Sequence, residues 1–435
     1  MIITWFVLLV LGFISYIIQQ APWFYTHVNV ISWSIILIAS IAFVIQIARK
    51  HDGKLYDWSM IAIIFFGYFF RLFLVYWDLN FRHVFLLPSS GFDSERFFSA
   101  AARLGHTGTY RYAIVYMSRV FDLFGIQRAV GHYVNILWGL SCVFIGVEIV
   151  KKFTNNQFTE DPRPARAVLI LGMTLPYFMI MNSLFLREAL ITFYLVLSLY
   201  FFVLWFKDGK LWGIPVSMLF SFLAVLHHSG SVAPIVGYAV IIAYYDTRQK
   251  RFRITVPNVL KSVIGLGFVY LVDLFLLNGA LFDRFFDMDM EFIVNFVERE
   301  TGGSAYTFFI HTGQTQIDFI ANTPVLMIYL ILSPFPWYWR GVFDVISFVF
   351  SALLYGYAYY VSIGSLRRQS QDKKGKDAII MMLIVCVIGV FIFGWGVRNV
   401  GTAMRHRDKF LIHHLLLIAF SLRRNFYLKG IGDIR

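Results

Sequence analysis

The sequence is divided almost from end to end by apolar runs of about 18 to 22 residues. An α-helix rises 1.5 Å per residue, so each run can cross a hydrocarbon layer of about 30 Å. Charged residues make up only 14% of the chain, whereas an ordinary soluble domain carries about 25%. The pattern therefore predicts an all-α, polytopic transmembrane helical bundle that forms one domain over residues 1–435.

Twelve of these runs are predicted to span the membrane. They are residues 1–18, 28–48, 58–76, 132–150, 166–182, 189–206, 211–227, 231–245, 259–277, 342–361, 378–396 and 410–422. The first run has no basic residues before it and is longer than the apolar part of a typical signal peptide, so we expect it to be retained. Residues 322–334 form a shorter run that leads into a segment rich in Pro and Trp. Because proline breaks helices and Trp prefers the headgroup level, we predict a re-entrant or interfacial element there.

Basic residues cluster in short loops between the runs. These loops are residues 49–51, 151–166, 207–210, 248–253, 367–376 and 423–424. Such loops are typical of the cytoplasmic side, so both termini are predicted to be cytoplasmic, and residues 77–130, 278–340 and 397–409 external. Since topology explains the net charge of +13, we expect no nucleic-acid partner.

An acidic motif lies in the first of these external segments, where an amphipathic helix is predicted to begin. Asp93 and Glu95 stand at its start and Arg96 follows them. A carboxylate there faces the positive end of the helix dipole and stays ionised, so that it can accept a proton from a hydroxyl group. Asp93 and Glu95 are therefore candidate catalytic residues and Arg96 a candidate substrate-binding residue. The alternative is that the motif only caps the helix.

Two short turns add polar pairs on the same side. Arg187 and Glu188 precede a span, and arginine suits bidentate contact with phosphate, although a local ion pair is the alternative. His227 and His228 could bind phosphate, relay a proton or lie at the interface without a further role. The sequence contains no His and Cys spacing typical of zinc sites, so no metal site is predicted.

The densest basic segment comes before the last span. It contains Arg398, Arg405, His406 and Arg407. An external position for this loop contradicts the positive-inside rule, so we expect an anionic ligand such as a diphosphate to offset its charge. The alternative is that the loop is cytoplasmic. The long loop at residues 278–316 also carries many charges, and loops of this length often act as lids or binding loops.

Together these features resemble the C-type glycosyltransferase superfamily and the bacterial polysaccharide polymerases that share its plan. The resemblance rests on residues 92–98 (FDSERFF), 186–190 (LREAL), 334–337 (PFPW) and 401–407 (GTAMRHR). It departs from the usual pattern in one respect, because the acidic motif follows the third span and not the first. The resemblance implies an external active site that uses sugars linked to polyprenyl phosphate or diphosphate.

The function expected from this resemblance is that of a repeat-unit polymerase for a bacterial surface polysaccharide, in the inner membrane. Its partners would be a polyprenyl-diphosphate-linked oligosaccharide, membrane lipids and other polysaccharide assembly proteins. No cofactor is expected if arginines carry the phosphate charge, although Asp93 and Glu95 could hold a divalent cation. Asp93, Arg187, His228 and Arg405 are expected to meet in one external cavity.

Two other functions remain open at this point. One is a flippase or transporter of lipid-linked oligosaccharides, which would have charges at mid-depth in its spans and broken helices. The charged residues of this chain are expected to stop at helix ends. The other is a membrane acyltransferase with His227 or His228 as the base.

The topology can be tested by labelling single cysteines from outside intact cells, after Cys142 and Cys386 have been replaced. Cysteines at positions 93, 187 and 405 should react with an impermeant maleimide, and a cysteine at position 370 should react only after permeabilisation. Labelling at 370 with protection at 405 would show that the last spans are reversed.

Overall fold

The computed structural model describes residues 1–103, 111–153, 161–246, 249, 251–276, 321–367, 373–397 and 399–432. The chain is 81% helical, which confirms the all-α fold class. The β structure of the described residues is a pair of two-residue antiparallel strands, β1 (Tyr245–Asp246) and β2 (Arg251–Phe252). The chain forms two compact units, Met1–Tyr200 and Phe201–Arg435. The single domain expected from the sequence stays a prediction.

The described helices of the first unit follow the apolar runs and the acidic motif. They are α1 (Ile2–Ile18), α2 (Val28–Ala48), α3 (Trp58–Asn80), α4 (Phe92–Ala102), α5 (Arg111–Phe124), α6 (Arg128–Phe153), α7 (Arg163–Thr174), α8 (Pro176–Ser183) and α9 (Glu188–Asp208), within which the unit ends. In the core, α6 packs against α3, α7 and α8, and α1 packs against α2 and α5.

The described helices of the second unit begin after α9. They are α10 (Gly213–His227), a 3-10 turn (Ser229–Val232), α11 (Ala233–Tyr244), α12 (Val256–Leu276), α13 (Thr323–Leu332), a 3-10 turn (Pro336–Tyr338), α14 (Val342–Ser347), a π-helical turn (Phe348–Ala352), α15 (Leu353–Arg367), α16 (Lys373–Trp395), α17 (Val400–Asp408) and α18 (Leu411–Gly432). Helix α16 packs against α11, α13 and α18.

Six helices among the described residues are long and apolar enough to cross a membrane. They are α2, α3, α6, α9, the continuous segment Val342–Arg367, and Gly375–Trp395 of α16. The pair α7 and α8, bent by 59°, would make a seventh. The chain is therefore a multi-pass membrane protein, while the count of twelve spans stays a prediction.

Helix α13 corresponds to the predicted re-entrant or interfacial element. Its 10 residues rise about 15 Å, half the thickness of the hydrocarbon layer. The indole N–H of Trp395 in α16 donates a hydrogen bond to Thr323 Oγ1 at 2.9 Å, which fixes the start of α13. The helix ends at Leu332, just before Pro334, as expected because proline disfavours helical geometry in the residue before it.

The break between α7 and α8 is stabilised by an arginine in the middle of α3. Pro176 has no N–H, so the carbonyl of Gly172 loses its helical donor. Arg71 replaces it, because its Nη2 donates to Gly172 O at 2.9 Å and its Nη1 to Met173 O at 3.2 Å. The expectation that charges stop at helix ends is therefore wrong for Arg71, which is fully buried in a predicted span.

The arginine reaches these carbonyls because α3 and α7 approach closely at Gly67. A Cβ at this position would lie 2.6 Å from Met173 O, so any larger side chain would push the helices apart. Gly67 and Arg71 are one helical turn apart and therefore act on the same contact. The sequence feature that could have indicated this contact was a single arginine in an apolar run. The partner of that arginine lies about 100 residues away in the sequence.

Removing this guanidinium should destabilise the first unit. In Arg71→Leu, two buried carbonyls would lose their donors, which predicts a loss of about 2–5 kcal/mol in the free energy of unfolding. Chemical unfolding in detergent micelles would measure the loss. Arg119→Leu is the control, because Arg119 is exposed and pairs only with the exposed Asp122 in the described contacts. Equal stability of the two variants would contradict the role given to Arg71.

Candidate functional site

Helix α4 positions the acidic motif as the sequence predicts. It begins at Phe92, and Asp93 and Glu95 lie in its first turn, where the helix dipole favours carboxylates. Asp93 is half-buried and Arg96 is exposed. Gly91 precedes the helix and has no side chain to cap it.

Glu95 is bound by two arginines, Arg128 at the start of α6 and Arg82 in the segment that follows α3. Its Oε1 accepts a hydrogen bond from Arg128 Nη1 at 2.6 Å and another from Arg82 Nη1. We call Arg82, Arg128 and Glu95 the arginine clamp. The Glu95 side chain is 44% exposed, while those of Arg82 and Arg128 are 25% and 17% exposed. The clamp therefore holds a carboxylate at the surface with cations that are mostly buried.

A second layer of polar groups holds the arginines from behind. The buried Asp78 accepts from Arg82 Nη2 at 3.0 Å and from the hydroxyl of Ser90. Arg128 Nη2 donates to Ser94 Oγ at 3.2 Å, and Arg128 Nε donates to His132 Nε2 at 3.4 Å. The guanidinium groups therefore have positions that do not depend on Glu95 alone.

His132 is a neutral imidazole with its proton on Nδ1. That nitrogen lies 2.7 Å from the carbonyl oxygen of Ser183, which can only accept a hydrogen bond. The other nitrogen, Nε2, receives the Arg128 donor, so it carries no proton. The contact of 3.7 Å between His132 and Asp78 is consequently not an ion pair.

The turn that carries Arg187 is held by side chains of α6. Asn135 Nδ2 donates to the carbonyl oxygens of Leu184 and Leu186, both at 2.7 Å. Phe185 fits against Gly131, where a Cβ would overlap its ring. The Arg187 guanidinium then lies 5.8 Å from the ring centre of Phe97 in α4. Arg187 and Glu188 are both buried.

In the second unit the structure brings together two histidines that are 178 residues apart. His228 Nε2 lies 3.2 Å from His406 Nε2. His228 Nδ1 accepts the Gly230 N–H at 3.1 Å, so the His228 proton is on Nε2 and points at His406. A neutral His406 then carries its own proton on Nδ1. The ring of Phe393 lies within 5.3 Å of both imidazoles.

Cationic residues lie on the same segment as His406. Asn399 caps α17 by accepting the Thr402 N–H at 2.7 Å, and Arg405 and His406 stand in the last turn, where the helix dipole favours positive charge. Lys409 is buried, with its Nζ 5.5 Å from the ring centre of Phe393. Arg405 is half-buried.

Arg407 has a structural role that the sequence did not indicate. Its Nη1 donates to the carbonyls of Ile331 at 2.7 Å and Ser333 at 2.5 Å, at the end of α13. Its Nη2 donates to Ser347 Oγ at 3.3 Å. Through these contacts the Arg407 guanidinium stabilises the end of α13.

Asp408 is buried at the end of α17, two residues after His406. Its Oδ1 accepts hydrogen bonds from Tyr355 at 3.1 Å and Ser351 at 3.3 Å. Burial raises the pKa of Asp408 to about 6, against the opposing effects of Arg407 and the two hydroxyls. Tyr355, His406 and Arg407 line a cavity of about 10 Å³, room for one water molecule.

The structure collects the predicted site residues into a group within each unit. In the first unit, Arg187 lies over Phe97 of α4, the helix that carries Asp93 and Glu95. In the second unit, His228 contacts His406. Asp93 and Arg96 share α4, Glu188 begins α9, and His227 is half-buried beside His228. Arg398 and the charged residues of 278–316 lie outside the described residues.

Sequence reasoning missed four groups of the first unit, Asp78, Arg82, Arg128 and His132. All stand within two turns of a helix end next to residues 77–130, which are predicted to be external, and ionisable side chains of membrane proteins cluster at such positions. Their position near helix ends was the sequence feature that could have identified them. Among the described residues, no three His, Cys, Asp or Glu side chains lie close enough together to form a metal site.

Asp408 gives the stability of the chain a defined pH dependence. Its pKa is about 6 when folded and about 3.9 when unfolded, so the folded protein binds an extra proton between these values. Stability should therefore fall as pH rises through this window, by on the order of 3 kcal/mol. The Asp408→Asn variant should lack this pH-dependent part of the free energy of unfolding.

The measurement is the free energy of unfolding of both proteins in detergent from pH 4 to 7. As pH rises, the free energy of unfolding of Asp408→Asn should increase relative to that of the parent. Asp208→Asn, at an exposed carboxylate, serves as the control. A difference that does not change with pH would show that Asp408 stays ionised.

Comparison of the chain with models of protein families, with curated proteins and with solved structures gave no match. The chemistry of its two polar clusters therefore has to be argued from the residues themselves.

Proposed function

We propose that this chain is a membrane glycosyltransferase that uses sugars linked to polyprenyl phosphate or diphosphate at the outer face of the membrane. In this proposal it joins the repeat units of a bacterial surface polysaccharide. The proposal combines the resemblance of its motifs with the chemistry of the second unit. Arginine, lysine and histidine supply the positive charge, so no cofactor is required.

The observation that supports it best is the contact between His228 and His406, on a segment that also carries the half-buried Arg405 and the buried Lys409. His228 fixes the tautomer of His406, and His406 Nδ1–H then becomes a donor of defined direction. Together with Arg405 and Lys409 it can stabilise the charge that develops on a departing phosphate. Fixed donors in a site with little water stabilise such charge more strongly than water does.

The proposed reaction is a displacement at the anomeric carbon. The acceptor hydroxyl oxygen forms a bond to that carbon while the bond to the diphosphate oxygen breaks, and the diphosphate leaves with the electron pair. Asp93 is assigned as the base that takes the hydroxyl proton, as the resemblance implies. Both arginines of the clamp donate to Oε1 of Glu95, so this oxygen is less accessible to an acceptor hydroxyl group than the carboxylate of Asp93.

Transport of a lipid-linked oligosaccharide is the second candidate, and one observation favours it. Arg71 lies buried in the middle of α3, beside the break between α7 and α8. Buried charges and discontinuous helices occur in transporters. The hydrogen bonds of Arg71 to Gly172 and Met173 nevertheless give it a structural role that needs no substrate.

Replacing His406 should separate the two functions. In a host that assembles the glycan, His406→Ala should reduce polymerised product by about 100-fold, because one donor to the leaving group is lost. The single-repeat lipid intermediate should then accumulate on the outer leaflet. The measurement is quantification of this intermediate in each leaflet, with Asp93→Asn and Arg405→Ala as companion variants.

His51→Ala provides the matched control, since His51 is an exposed loop residue. It should leave chain length unchanged at equal protein level. Accumulation of the intermediate on the cytoplasmic leaflet would instead support transport. Normal chain length in His406→Ala, Arg405→Ala and Asp93→Asn together would refute the proposed glycosyl transfer.

A further inference from the structure

We propose that Arg82 and Arg128 form a binding site for a phosphate-type oxyanion, and that the carboxylate of Glu95 occupies this site as an internal stand-in. The inference concerns the first unit alone and does not depend on glycosyl transfer in the second. It differs from the sequence interpretation of Glu95 as a catalytic group. In this view Glu95 keeps the site closed until an oxyanion displaces it.

The geometry of the clamp carries the proposal. Two guanidinium groups from different parts of the chain converge on the same oxygen, Oε1 of Glu95. Planar guanidinium groups match the oxygen spacing of phosphate and bind it with paired hydrogen bonds. A carboxylate that accepts from both arginines through one oxygen uses only part of this donor capacity. A phosphate group, with three or more oxygens, would use more of it.

The two sides of the clamp differ in their freedom to move. Asp78 holds Arg82, and Ser94 and His132 hold Arg128, so the arginines are fixed without Glu95. The side chain of Glu95 is 44% exposed and can turn into solvent. The site would therefore remain formed after Glu95 leaves, which is the condition for exchange with a ligand.

The charges of the clamp favour the same exchange. Arg82 and Arg128 contribute two positive charges, Asp78 offsets one, and His132 is neutral. Glu95 offsets the second charge, so its departure leaves one cation for an incoming oxyanion. The first turn of α4 adds the positive end of its dipole, and Arg187 lies over Phe97 of the same helix.

Competition between Glu95 and a ligand predicts that removing the carboxylate strengthens binding. The full chain in phosphatidylcholine nanodiscs would be titrated with inorganic pyrophosphate by calorimetry. Glu95→Gln should bind at least about tenfold more tightly than the parent chain, because the internal competitor is gone. Glu148→Gln removes the same charge from an exposed carboxylate that pairs with Lys151 outside the clamp, so its affinity should change much less.

Two further variants test the arginines. Glu95→Gln combined with Arg82→Gln, or with Arg128→Gln, should lose the gain in affinity. If Glu95→Gln does not fold, Glu95→Asp keeps the charge on a shorter side chain, and its affinity should lie above that of the parent. Equal affinities of Glu95→Gln and Glu148→Gln, or a gain that survives loss of either arginine, would overturn the proposal.

The source of the oxyanion is decided by repeating the titration in nanodiscs that contain phosphatidylglycerol. If the site takes a lipid headgroup, this lipid should compete with pyrophosphate in Glu95→Gln. If it takes a free phosphate, the affinity should be the same in both lipids after correction for surface charge. Because binding is the readout, failure of the His406 experiment leaves this result unaffected.

Discussion

The hydrocarbon core of a membrane offers no water to a backbone N–H or carbonyl that lacks a partner. Every break in a helix within this chain must therefore be matched by a donor or acceptor from a side chain. Arg71 meets this need at the break between α7 and α8, where Pro176 removes a helical donor. Arg407 meets it at the end of α13 by donating to Ile331 and Ser333. The same physical solution thus appears once in each unit.

These breaks determine where the polar side chains of the clusters can lie. In the first unit, α8 ends at Ser183, and its carbonyl is bound by His132. Asn135 donates to the carbonyls of Leu184 and Leu186 and so fixes the turn that presents Arg187. Arg187, a site residue predicted from the sequence, is thus positioned by residues whose role is to form hydrogen bonds with backbone carbonyls.

The two polar clusters differ in net charge. The arginine clamp is close to neutral, because Asp78 and Glu95 offset Arg82 and Arg128. The cluster around His228 and His406 is cationic, with Asp408 as its buried carboxylate. Burial raises the pKa of Asp408 to about 6, so around that pH only part of the molecules carry its negative charge against the cations. A cationic cluster of this kind suits stabilisation of an anionic group, whereas a neutral clamp suits exchange of one anion for another.

The sequence by itself determined the helices, because length and apolarity are properties of a local stretch of chain. The predicted span 28–48 coincides with α2, and α4 begins within the acidic motif as expected. The prediction that residues 322–334 are too short to cross the membrane likewise depended only on a local stretch of the chain. Some polar residues near helix ends, such as Glu95 and His406, were also apparent locally because charges are rare in apolar runs, whereas Asp78, Arg82, Arg128 and His132 were missed.

Only the tertiary structure decided which of these residues meet. Arg71 finds its carbonyl partners about 100 residues away, and His228 meets His406 across 178 residues. Such contacts depend on how helices pack, and in lipid the packing is set by small residues, close backbone approach and hydrogen bonds more than by an apolar pattern. A glycine such as Gly67 is therefore decisive in the structure although nothing around it in the sequence indicates its partner.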